Sequence, residues 1–136
     1  MGGRGQKRDA KGRFEVHRWK EDKDVPEEMK IPGVKFLVKV DNEDNKGLPA
    51  ESALPNTIYA IRNKDGSLKQ ITFYDENCLA HLSIDYGHDH GNGDPHGHYW
   101  NWTKEKDNIR PSHKLNDEET KWLIEHGLPT IRKPKE

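Results

Sequence analysis

The sequence predicts an α+β fold: a small antiparallel β-sheet of four to five strands, one C-terminal helix and a disordered basic N-terminal arm. Three observations lead there. The segments VKFLVKV, TIYAIRN, LKQITFYD and LAHLSIDY are short, rich in β-branched and aromatic residues, and separated by turn-forming residues. Only LNDEETKWLIEHGLP carries a helix start, an apolar face and a stop. Only 30% of residues are hydrophobic and 35% are charged, so a small core must be flanked by segments that cannot bury themselves.

The N-terminal stretch MGGRGQKRDAKGRF has no periodicity and is read as a flexible arm. Net charge over the chain is −1, which gives no general attraction to nucleic acid. The first twenty residues are different: Arg4, Lys7, Arg8, Lys11, Arg13, Arg18 and Lys20 stand against Asp9 and Glu15. Arg4, Lys7, Arg8, Lys11 and Arg13 are therefore candidate phosphate contacts. Residues 1–30 are expected to be arm and linker, residues 31–129 the single α+β domain, and residues 130–136 a loose basic tail.

The first strand is VKFLVKV, where Val34, Phe36, Val38 and Val40 alternate with Lys35, Leu37 and Lys39. A long polar loop, DNEDNKGLPAESALP, follows; a loop of that length is mobile or functional. TIYAIRN and LKQITFYD are joined by KDGS, whose Asp65-Gly66 suits a tight hairpin. DENC leads into LAHLSIDY, which completes an antiparallel meander. Along that last strand Leu82, Ile84 and Tyr86 share one face and His81, Ser83 and Asp85 the other. HYWNWT can resume a strand, with His98, Trp100 and Trp102 on one face. In the helix, Asn116 or Asp117 caps the start, Trp122 and Leu123 face the core, and Gly127 and Pro129 end it.

Cys78 is the only cysteine, so no disulfide forms within the chain. There is no apolar run of membrane-spanning length and no apolar leader at the N-terminus. The expectation is a protein of the bacterial cytoplasm with no membrane partner.

The chemistry gathers in IDYGHDHGNGDPHGHYWNW, residues 84–102. His88, His90, His96 and His98, half of the chain's eight histidines, lie there beside Asp85, Asp89 and Asp94. Two readings of these residue types stay open. Imidazoles and carboxylates are ligands for zinc and other first-row ions, which makes His88, His90, His96 and His98 a metal-site candidate. Alternatively, cleavage of RNA through its own 2′-hydroxyl needs one base and one acid, roles that two histidines fill near neutral pH without any cofactor. His88 with His96 or His98 is the candidate pair, with Asp85 orienting one ring. The glycine-rich loop lets backbone N–H groups approach a phosphate, and Trp100 and Trp102 are candidate base-stacking residues. His17, His113 and His126 stand alone in the sequence and receive no role.

The run from Asn56 to Trp102 resembles the small C-terminal domains of bacterial polymorphic toxins and of some prophage proteins. The matching parts are YDENC, with Cys78 where glycine is frequent; IDYGHDHG, residues 84–91; and PHGHYW, residues 95–100. The resemblance implies a nuclease-like toxin, with Asp85, His88, His90, His96 and His98 at the matching positions, and the two-histidine chemistry favours RNA as its substrate. The alternative is a non-enzymatic phage accessory protein that binds a host, immunity or virion protein and uses the histidines as a structural metal site.

Overall fold

A computed structural model of the chain describes residues 19–40, 47–87, 91, 93–100 and 111–130. Within these, a single seven-stranded mixed sheet carries one helix near the C-terminus. The strands are β1 (Trp19–Glu21), β2 (Lys35–Lys39), β3 (Ile58–Arg62), β4 (Leu68–Tyr74), β5 (Ala80–Asp85), β6 (His96–Tyr99) and β7 (Ser112–His113), and the helix is α1 (Asp117–Glu125). They lie side by side in chain order.

The sheet is larger than the expected four to five strands because two short edge strands join it. β1 pairs with β2 through Trp19↔Lys39, and β7 pairs with β6 through Gly97↔His113. Neither edge strand is long enough to show a period of two. Residues 19–30, expected to be linker, thus contribute a strand, and Val25 and Trp19 are buried. Asp22 also receives a bidentate pair of bonds from Arg62 on β3 at 2.9–3.1 Å. The arm proper, residues 1–18, and the tail, residues 131–136, lie outside the described residues.

The sheet is also not wholly antiparallel, since β2 pairs parallel with β3 (Lys35↔Tyr59, Phe36↔Ala60). A parallel pair needs a long crossover, and the polar loop after β2 is that crossover. Its described part, from Gly47 onward, covers one sheet face: Leu48 is buried, Ser52 N–H donates to the Cys78 carbonyl, and Ala80 N–H donates to Ala50. Tyr74 adds its hydroxyl to the Pro49 carbonyl.

Both faces of the sheet are therefore covered, which is why Phe36 and Leu37 are both buried despite pointing opposite ways. On the crossover face Trp19, Leu37, Leu48, Tyr59, Ile61, Tyr74 and Ala80 form one cluster, with Trp100 against it. On the helix face Val25, Ile31, Phe36, Ala60, Ile71, Ile84, Tyr86 and Leu123 form the other. The helix starts in a capping box, Asn116 Oδ1 accepting from Glu119 N–H and Glu119 Oε1 from Asn116 N–H. It stops where Gly127 takes φ +73°.

The turns follow their residues. Gly66 takes φ +93° in the β3–β4 hairpin. In the YDENC turn Asp75 Oδ1 accepts from Asn77 and Leu79 N–H, and Cys78 adopts φ +65°. That left-handed backbone is the one glycine takes at least cost. No described helix is long and apolar enough to cross a membrane.

Candidate metal centre

β5 and β6 run antiparallel with Asp85 opposite His96 and Ser83 opposite His98. Side chains alternate along a strand, so His96 and His98 share the crossover face with Asp85, while Gly97 and Tyr99 turn to the helix face. Asp85 Oδ2, His96 Nε2 and His98 Nε2 all lie within 4.8 Å of one another. His98 Nε2 is 3.0 Å from Asp85 Oδ2 and 3.0 Å from His96 Nε2, and His96 Nε2 is 4.0 Å from Asp85 Oδ2. The two rings meet edge-on with centroids 4.8 Å apart.

His96 and Asp85 are held from behind. His96 Nδ1 lies 3.2 Å from the Gly93 carbonyl. A carbonyl only accepts, so Nδ1 carries the proton and Nε2 of the neutral ring presents its lone pair. Asp85 Oδ1 accepts from Gln70 Nε2 at 2.7 Å, leaving Oδ2 toward the rings. The proton on His98 Nε2 then has two acceptors competing for it. A divalent cation in place of that proton would be held by all three atoms, with His98 then carrying its own proton on Nδ1. Ligand atoms at about 2.0–2.2 Å from a tetrahedral ion stand about 3.3–3.6 Å apart, and the separations of 3.0, 3.0 and 4.0 Å lie on either side of that spacing.

The side chain of His96 has 0% exposure, against 16% for His98 and 14% for Asp85. The cluster is thus reached from the His98 and Asp85 side. Asp94 is used otherwise: its Oδ1 accepts from Gly87 N–H at 2.8 Å and closes the base of the histidine loop. The Asp94–Pro95 peptide is cis.

Of the residues singled out in the sequence, Asp85, His96 and His98 come together. His88, His90, Asp89 and Trp102 lie outside the described residues, as do Arg4, Lys7, Arg8, Lys11 and Arg13. Trp100 is half-buried against the crossover-face cluster, and its indole N–H donates to Ser83 Oγ at 3.0 Å. That packing places the ring at the edge of the core. Ser83 is itself buried and shares a 2.7 Å bond with Thr72, so the middle of the polar face of β5 is enclosed. His81 is the exposed member of that face.

Sequence reasoning missed two features. Gln70, in β4 opposite Asp85, was hidden because its partner is fifteen residues away. His113 was set aside as isolated, yet its Nε2 lies 3.0 and 3.1 Å from the carboxylate of buried Glu119. Its ring stacks on Tyr99 at 4.2 Å, and Tyr99 donates to Glu119 Oε2. Partial desolvation, then the bond and charge of Glu119, push the Tyr99 phenol above its ordinary value. The capping-box spacing from Asn116 to Glu119 was the one available signal for Glu119. This network ties α1 to the sheet edge on the face opposite the Asp85–His96–His98 cluster.

Comparison of the chain with protein-family models, with curated proteins and with solved structures gave no match.

Proposed function

We propose that the domain is a metal-dependent nuclease whose ion is held by Asp85 Oδ2, His96 Nε2 and His98 Nε2 and whose substrate is a nucleic acid. The observation that carries the metal part is the convergence of these three ligand atoms, two of them, on Asp85 and His96, oriented by a bond on the far side of their own group. Such outer bonds, carbonyl to imidazole and amide to carboxylate, are what metal ligands ordinarily have. Three protein ligands with an accessible side suit a catalytic rather than a closed structural site. A divalent ion there supplies a Lewis acid and lowers the pKa of a bound water.

The burial of His96 favours this reading over a metal-free acid–base pair that includes His96. A ring with no exposure has no path to a substrate hydroxyl. The nucleic-acid part rests on the likeness of residues 56–102 to toxin domains and on the basic arm. The left-handed Cys78 supports that likeness, since glycine is frequent at the matching position.

The test is native mass spectrometry of the full chain with Zn²⁺, Mn²⁺ or Co²⁺, beside RNA and DNA cleavage with and without chelator. A retained ion, cleavage lost in chelator with the fold intact, and loss of both in His96→Ala and His98→Ala are expected. RNA cleavage that persists in chelator refutes the metal mechanism. A bound ion whose removal unfolds the protein, without cleavage of either nucleic acid, supports instead an accessory protein with a structural metal site.

A further inference from the structure

Gln70 sits in β4 directly across from Asp85 in the sheet register. Its side-chain amide is bonded at both ends. Oε1 accepts from the Leu48 backbone N–H at 2.9 Å, and Nε2 donates to Asp85 Oδ1 at 2.7 Å. The orientation of the amide is dictated by chemistry, because a backbone N–H can only donate. The Gln70 oxygen must therefore face Leu48, and its NH₂ must face the carboxylate.

Leu48 is not a loose partner. It is buried in the crossover-face cluster, and the segment that carries it is fastened to the sheet by Ser52 to Cys78, by Ala80 to Ala50 and by Tyr74 to Pro49. The crossover thus fixes the amide, and the amide fixes Asp85 Oδ1. One oxygen of the carboxylate is taken, so only Oδ2 faces the two imidazoles.

We infer that Gln70 is the positioning residue of the metal centre: it holds Asp85 as a one-oxygen ligand and so keeps coordination positions open for water or substrate. This rests on the metal reading of Asp85, His96 and His98. It also accounts for glutamine rather than glutamate at this position. A glutamate keeps the acceptor for Leu48 but sets an oxygen against Asp85 Oδ1 in place of the donor.

Co²⁺ is the probe, because its visible spectrum reports coordination number and geometry. The full-length wild-type chain, Gln70→Glu, Gln70→Met, Asp85→Asn and the Gln70→Met/Asp85→Asn double variant are titrated with Co²⁺, with circular dichroism as the check on folding. Removing an outer-shell partner costs about 10–100-fold in metal affinity, and that loss is expected in both Gln70 variants together with an altered Co²⁺ spectrum. In the Asp85→Asn background the Gln70 substitution is expected to add nothing, because the ligand it positions is gone. Should Gln70→Met fail to fold, Gln70→Glu, which keeps the Leu48 bond, carries the test. Unchanged affinity and spectrum in folded Gln70 variants overturn the inference and leave the metal reading standing. A wild-type chain that takes up no Co²⁺ overturns both.

Discussion

Gly97 lies between His96 and His98 but faces the other way, and Gly97→Ala is the sharpest steric test of the arrangement. A Cβ built there falls 2.5 Å from both Cε1 and Nε2 of His113. Ordinary carbon contacts need about 3.5–4.0 Å, so the ring must retreat by roughly 1 Å. It cannot do so freely, because Glu119 holds its Nε2 and Tyr99 stacks on its face. Overpacking of this kind costs about 1–3 kcal/mol. Displacing the imidazole also gives up bonds to a carboxylate, worth about 1.5–3 kcal/mol. The reduced freedom of the unfolded chain returns only about 0.4–1 kcal/mol, since Gly97 is not in a left-handed conformation. A net loss of about 1.5–5.5 kcal/mol is expected. Urea denaturation of the wild type, Gly97→Ala, His113→Ala and the double variant measures it as a cycle. In the His113→Ala background the alanine at 97 should be neutral or stabilising, giving a coupling at least as large as that loss. Equal losses from Gly97→Ala in both backgrounds would refute the contact.

Two further outcomes follow from the cores and edges. Burial pushes the Tyr74 phenol well above its ordinary value, so the folded chain keeps a proton that the unfolded chain releases near pH 10. The corresponding stability is present in full below pH 10 and falls as pH rises beyond it; Tyr74→Phe should flatten that alkaline decline in denaturation curves measured from pH 8 to 11, at a cost of about 1 kcal/mol at pH 8 for the lost Pro49 bond. Asp22→Asn should destabilise by about 1.5–3 kcal/mol, because the Asp22–Arg62 pair is bidentate and its side chains are only 9% and 18% exposed; an effect below 0.5 kcal/mol in thermal or urea unfolding would show that β1 is not anchored through this pair.

How much could be read in advance depended on the range of the interaction. The β3–β4–β5 meander was legible because its hairpin residues and alternation are local, and α1 because its capping box and its terminating glycine lie within the helix itself. The parallel β2–β3 pair was not, because nothing in a strand's own pattern says which way its neighbour runs. β1 and β7 are too short to show periodicity, and both depend on partners elsewhere, Trp19 on Lys39 and His113 on Gly97. The candidate site shows the same division. The i, i+2 spacing of His96 and His98 puts both on one face of any strand, and Asp85 was on the polar face of its own. That Asp85 stands opposite His96 is a matter of register, set by the connection between β5 and β6. Gln70 and Leu48 are second and third links of a chain of contacts that no sequence window spans.

The alternation in β6 also separates the site's chemistry from the scaffold. His96 and His98 turn to the crossover face, where Gln70 and Asp85 meet them; Gly97 and Tyr99 turn to the helix face, where His113 and Glu119 tie α1 to the sheet edge. Residues 56–102 contain Gln70, Asp85, His96 and His98 but neither Leu48 nor His113 and Glu119. The three proposed ligands and the residue that orients one of them thus come from three neighbouring strands of a single meander, β4, β5 and β6. The crossover and α1 act on them from opposite faces, the first through a hydrogen bond to the Gln70 amide and the second through the ring that fills the space above Gly97. A substitution on the helix face should then change stability far more than metal affinity, and one at Gln70 the reverse. Measuring both quantities for Gly97→Ala and Gln70→Glu distinguishes a site carried by the meander from one that depends on the whole sheet: proportional losses of stability and affinity in the two variants would rule the first arrangement out.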